Sequence, residues 1–133
     1  MYNEKVLKHF QNPLNNGELR DANAVGQAVN PVCGDMIRVF LRIEGGVIRE
    51  AAFAGMGCGG AIASGSVLTE LLQGKAVESA RRLKGADVSQ ALGGLPSIKL
   101  HCPDLAAEAL QAALKDFDRR AAGAPAPKAS RKT

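Results

Sequence analysis

Asp35-Met36-Ile37-Arg38-Val39-Phe40-Leu41-Arg42-Ile43 is the stretch whose reading decides the fold. Two sets of side chains alternate along it, the period of a strand with one buried face. Arg38 and Arg42 mark the wet side, shared with Met36 and Phe40, so Ile37, Val39, Leu41 and Ile43 are expected to point inward. Glu44-Gly45-Gly46 ends the run as a hairpin turn. Val47 to Phe53 then returns as an antiparallel partner, and Ala24 to Val29 supplies a further strand upstream.

Helices are expected on both sides of this meander. Tyr2 to Phe10 carries Val6, Leu7 and Phe10 at helical spacing and stops at Asn12-Pro13, after which Asn15-Asn16-Gly17 continues the loop. Downstream, Gly55-Met56-Gly57-Cys58-Gly59-Gly60 is a glycine-rich turn. A helix follows from Gly60 to Gln73 on Ile62, Leu68, Leu71 and Leu72, with Gly74 beyond its end. Shorter helical pieces are expected at Val77–Leu83 and Val88–Leu92 before Gly93-Gly94-Leu95-Pro96 breaks the chain. The last helix should begin at Pro103 and run to Phe117 on Ala106, Leu110, Ala113, Leu114 and Phe117. An N-terminal helix, a three-stranded antiparallel sheet and helices packed on one sheet face make the class α+β.

The 133 residues suit one folded unit, residues 1–118, followed by a basic tail, residues 119–133. Ala121 to Thr133 reads AAGAPAPKASRKT, has no periodic apolar face and is expected to be disordered. The net charge of +4 belongs to this tail. All 13 acidic residues lie at or before Asp118, whereas Arg119, Arg120, Lys128, Arg131 and Lys132 follow it, which leaves the body 12 basic against 13 acidic groups. A basic stripe with interleaved aromatics is missing, so nucleic acid is not an expected partner. No apolar run reaches the length of a membrane span, and Met1-Tyr2-Asn3-Glu4-Lys5 lacks a signal-peptide core, so the expected location is cytoplasmic.

The chemistry lies with Cys33, Cys58 and Cys102. An odd count without a secretion signal argues against a disulfide framework and toward metal or thiol chemistry. Cys33 sits in a turn before a strand, Cys58 opens a helix between Gly57 and Gly59, and Cys102 precedes Pro103 at the expected cap of the last helix. A helix N-terminus stabilises a thiolate, the form that binds metal or attacks sulfur. Glycines beside Cys33 and Cys58 let an inorganic group approach the backbone. Asp35 follows Cys33 by two positions and His101 directly precedes Cys102. Three sulfurs with a carboxylate or an imidazole suit a tetrahedral zinc ion or a two-iron cluster. A lone cysteine is as often a small buried hydrophobe; that alternative weakens when all three fall at turns or helix starts. His9 reads as a surface or packing residue, and the glycines around Cys58 lack the Lys-Ser/Thr of a phosphate loop.

YNEKVLKHFQNPLNNG (Tyr2–Gly17), CGD (Cys33–Asp35), GCGGAIASGS (Gly57–Ser66) and LPSIKLHC (Leu95–Cys102) together resemble the IscU-type, or NifU N-terminal-like, scaffold family of iron–sulfur cluster assembly. The resemblance implies a SufE/IscU-like fold and a non-enzymatic role. A cysteine desulfurase would deliver persulfide sulfur, an electron donor such as ferredoxin would reduce it, and a transient [2Fe–2S] cluster would form from iron and pass to apo-proteins. It also implies Cys33, Asp35, Cys58, His101 and Cys102 as the ligand-region residues, with Cys102 the persulfide acceptor. The Hsp70-type chaperone of many such systems reads Leu-Pro-Pro-Val-Lys; Leu95-Pro96-Ser97-Ile98-Lys99 departs from it, which leaves that partner open. The alternatives are a zinc-binding SufU-like acceptor that relays persulfide and a purely structural zinc domain. By resemblance the SufU-like branch carries an insertion and lacks the histidine, so His101 favours the scaffold branch. Monomer and dimer both stay open.

Overall fold

Strands β1 (Ala24–Val29), β2 (Met36–Glu44) and β3 (Val47–Met56) form an antiparallel meander in the order β1-β2-β3. The computed structural model describes residues 4–11, 15–30, 34–57, 59–93 and 101–121. Helices are α1 (Glu4–Gln11), α2 (Gly59–Leu72), α3 (Val77–Ala80), α4 (Gly85–Ala91) and α5 (His101–Ala121). The expected α+β class and the meander are what the chain adopts.

Local sequence explains the hairpin. Gly45 and Gly46 both take positive φ, +60° and +77°, the backbone a two-residue turn needs to match the strand twist. Ile37, Val39 and Leu41 are fully buried and Ile43 nearly so, as the alternation predicts. Beyond the turn the register slips: Arg42 pairs with Glu50 but Ile43 pairs with Ile48, so Arg49 is the extra residue of a bulge. The bulge leaves Arg49 exposed while Ile48 is fully buried.

Phe40 departs from expectation. It lies on the outward face, paired with Val25 and Ala52, yet is only 6% exposed. Its flanking arginines are bound across the sheet. Arg38 Nε and Nη2 donate to Gln27 Oε1 at 3.1 and 2.9 Å, and Arg42 Nε donates to Glu50 Oε1 at 2.7 Å. Charged heads and a buried aromatic thus share one face.

Two close approaches seat the helices. At Gly26 a Cβ would collide with the α5 backbone at Ala113 N and would lie 2.5 Å from Ala109 O. At Gly65 it would lie 2.7 Å from Phe53 Cε2, so the fully buried Phe53 ring rests flush on α2. α2 contributes Ala61, Ala63, Val67, Leu68 and Leu72 to the core, and α5 contributes Cys102, Leu105, Ala106, Ala109, Leu110, Ala113 and Leu114. Both sheet edges are covered in part. The Asp116 carboxylate, itself buried, accepts the Val25 N–H at 3.0 Å and meets Arg119 and Arg120 at 2.9 and 3.0 Å. On β3, Asn15 O and Gly17 N bond the backbone of Phe53 at 3.0 and 2.7 Å.

α5 is longer at both ends than expected and carries Arg119 and Arg120 inside it. The Asp116 pairs hold its last turn, an interaction that apolar periodicity does not register. α3 ends at Ala80, short of Leu83, and α4 begins at Gly85 rather than Val88 because Lys84 N–H bonds Asp87 Oδ2 at 2.8 Å. α1 packs on α2, where His9 Nδ1 lies 2.7 Å from Ser66 Oγ and His9 Nε2 lies 3.7 Å from Glu70. His9 is therefore a packing residue. The expected disorder of the C-terminal tail concerns residues that, from 122 onward, lie outside the described ones. Among the described residues no helix is long and apolar enough to cross a membrane.

Candidate functional site

The end of the sheet away from the hairpin gathers the cysteine-bearing segments. The link from β1 to β2 is closed by two backbone bonds: Gly34 N–H to Asn30 O at 2.8 Å and Asn30 N–H to Asp35 O at 2.8 Å. Gly34 takes φ +78°, a backbone that favours glycine, just before the strand begins. Met36 pairs with Met56, so Asp35 and Gly57 stand at the same end of the β2–β3 ladder. Gly57 leads into Cys58 and α2.

Of the five expected site residues, the structure brings Asp35 and Cys102 together. Cys102 Sγ lies 3.9 Å from Asp35 Oδ2 across 67 residues of sequence, and the two are 0% and 3% exposed. Cys33 and Cys58 lie outside the described residues, as does the side chain of His101. The described neighbours of these cysteines, Asp35 and Gly57, nonetheless meet each other: a Cβ on Gly57 would collide with Asp35 Oδ1 and lie 2.7 Å from Asp35 Cγ. Sequence reasoning missed this contact. It credited the glycine with freeing the backbone toward an inorganic group, and nothing local in Gly-Met-Gly-Cys-Gly-Gly says which residue fills the space. Among the described residues no three His, Cys, Asp or Glu side chains cluster as a metal site.

Cys102 also sits differently from expectation. α5 begins at His101, which puts Cys102 inside the first turn rather than at the cap. Pro103 falls within that turn, where backbone N–H groups have no intrahelical partner, so its missing donor costs nothing and the helix can start earlier. The thiol keeps its place at the positive end of the helix dipole. A hard oxygen next to a soft sulfur suits a borderline cation or an iron–sulfur unit.

A groove of about 920 Å³ lies elsewhere, between β1, the α3–α4 link and the outer face of α5. Gln27, Arg81, Lys84, Asp104, Glu108 and Lys115 are among its lining residues, and neither Asp35 nor Cys102 touches it.

Comparison with known proteins places this geometry in context. Residues 1–124 match the family model described as the NifU-like N terminal domain. An iron-sulfur cluster assembly scaffold protein IscU of Aquifex aeolicus is 48% identical over 118 residues, covering 87% of this chain and 75% of the relative. The protein named iron-sulfur cluster assembly scaffold protein IscU 1 of Archaeoglobus fulgidus is 44% identical over 120 residues, covering 90% and 78%. Among solved structures, an iron-sulfur cluster assembly scaffold protein for the SUF system from Fervidobacterium islandicum shares the fold with a TM-score of 0.71 at 20% identity, covering 85% of this chain and 96% of that one.

Proposed function

The chain belongs to the family of NifU-like N-terminal domains, and from that premise we propose that it is a scaffold on which [2Fe–2S] clusters are assembled and then handed to apo-proteins. The observation that carries the reading is the buried apposition of Asp35 and Cys102 at the sheet end where the Cys33 and Cys58 segments arrive. Cys33, Cys58 and Cys102 supply thiolates, the ligands iron–sulfur units favour, and Asp35 and His101 supply harder donors. Cluster, iron and sulfur are cargo here, so the protein acts as a carrier rather than an enzyme.

Sulfur enters at Cys102. Its thiolate attacks the outer sulfur of a desulfurase persulfide; that S–S bond breaks, a new one forms on Cys102, and the desulfurase cysteine leaves as a thiolate. Each sulfane sulfur then takes two electrons from a donor such as a ferredoxin to become sulfide. Because Cys102 is fully buried, its surroundings must give way to admit the donor. Asp35 tunes the hold on the product. A carboxylate is a weaker partner for this soft cargo than a fourth thiolate, so it yields to an incoming thiol of the recipient. Zinc, a borderline ion that accepts the same donors, is expected to occupy the site of the isolated protein when iron is absent.

Anaerobic reconstitution with iron, cysteine and a desulfurase, read by absorption and Mössbauer spectra, tests the scaffold reading. The wild-type chain should develop a [2Fe–2S] spectrum, and its absence would refute the proposal. Wild-type yield from Cys33→Ser or Cys58→Ser would refute the ligand assignment. Asp35→Ala should still assemble a cluster but deliver it more slowly to apo-ferredoxin, followed by circular dichroism; unchanged or faster delivery removes Asp35 from that role.

A further inference from the structure

Gly57 has φ +127° and faces the Asp35 side chain. An added Cβ would overlap Oδ1, lie 2.7 Å from Cγ and lie 3.0 Å from the Asp35 Cα. The main obstruction is the carboxylate, and the contact with Cα is tight enough to need only a shift of a few tenths of an ångström. The other carboxylate oxygen, Oδ2, is the one directed to Cys102 Sγ. Asp35 therefore sits wedged between the glycine of one cysteine-bearing segment and the thiol of another.

We infer that Gly57 is a positioning residue: its missing side chain is the slot that receives the Asp35 carboxylate and holds it against Cys102. The inference rests on the reading of Asp35 and Cys102 as site residues, and it concerns how they are held before any iron arrives. Asp35 belongs to the segment of Cys33, Gly57 to that of Cys58, and Cys102 to α5. One carboxylate in one slot thereby ties Gly57, Asp35 and Cys102, from three separate parts of the chain, to one another. A glycine kept only for its backbone would instead reflect φ +127°, which an L-residue with a side chain rarely adopts.

The two causes separate in a double-mutant cycle on the reduced, metal-free chain. Urea midpoints are measured for Gly57→Ala in three backgrounds: wild type, Asp35→Asn and Asp35→Ala. Under the slot assignment the alanine lowers the midpoint strongly beside Asp35 and beside the equally large Asn, and its effect falls by at least half beside Ala. An equal loss in all three backgrounds, or failure to fold in all three, would trace the requirement to the backbone and overturn the inference. A second readout follows the carboxylate itself. Well below every midpoint, iodoacetamide labelling of Cys102, resolved by peptide mass spectrometry, should be several-fold faster in both Gly57→Ala and Asp35→Ala, with no further gain in the double variant. A wild-type labelling rate for Gly57→Ala would mean that Asp35 has not moved, and would also overturn it. Neither measurement uses iron or sulfur, so each can fail while cluster assembly succeeds, and the reverse.

Discussion

At the hairpin end of the sheet, Gly74, Lys75 and Val77 bond the backbone of Ile48 and Gly46 at 2.8 to 2.9 Å, and Arg42 meets Glu44 and Glu50 at 2.7 Å and Asp21 at 3.6 Å. At the opposite end a carboxylate and a thiol are buried side by side, while Val29 and Met56 stand 49% and 64% exposed. Val29 pairs with Met36 and Met36 with Met56, so the exposed residues flank one row of the sheet. The first end follows the rules for stability: apolar residues inside, backbone groups paired, charges outside and matched. The second places a carboxylate inside and two large apolar side chains outside. Such local violations are where a fold gives up stability for function, and they coincide here with the segments of the three cysteines.

Substitution can test this division. The largest expected effect is on function: Cys102→Ser should eliminate cluster formation, judged by the visible absorption of reconstituted protein, while the serine hydroxyl still bonds Asp35 and the apo midpoint stays close to wild type. A clearly lower midpoint would make Cys102 a stability residue and blur the contrast. Next comes Ile48→Ala at the hairpin end. Truncating a fully buried isoleucine costs about 2–5 kcal/mol, read from urea unfolding. Cluster yield per folded molecule should be unchanged. A parallel drop in yield would show the two ends to be coupled.

Smaller effects sharpen the picture. Met56→Ser removes an exposed thioether and should alter stability by no more than about 0.5 kcal/mol. A larger loss would mean that Met56 packs in solution. The smallest effect is a dependence on acid. Arg81 bonds Asp118 at 2.7 and 2.9 Å, next to α3, whose Val77 N–H holds the hairpin turn. The Arg81 hydrogen bond holds the Asp118 carboxyl below its ordinary 3.8. A lowered folded-state pKa adds stability above the ordinary value, and that contribution disappears as pH falls through the folded one. Both partners are solvent-accessible, so the gain is small and screened by salt. Arg81→Ala should flatten the fall in urea midpoint below about pH 4, with little change near neutrality. An identical acid profile in both proteins would exclude this pair as its source.

Much of this architecture was legible in advance because it is written in short-range patterns. The period of two in β2, the glycine pair and the apolar spacing of α5 each constrain a few neighbouring residues, and each carried through to the strand, the turn and the helix. The errors came where a distant partner intervened. Alternation places Phe40 among wet residues because it does not register that both flanking arginines are tied to Gln27 and Glu50 on the neighbouring strands, or that the ring is buried. Apolar periodicity ends α5 at Phe117 because it does not register Asp116, whose carboxylate pairs with Arg119 and Arg120.

The candidate site divides along the same line. Sequence alone determined the chemistry available: three thiols, a carboxylate and an imidazole beside turns and helix starts, in motifs that resemble one family. Residue type and local backbone preference are properties of a segment, and they survive any packing. Tertiary structure alone decided that Asp35 lies against Cys102 across 67 residues, that both are buried, and that Gly57 provides the space. Which surfaces meet, and how much water they exclude, depends on the simultaneous fit of α2, α5 and the sheet, so no segment carries that information by itself.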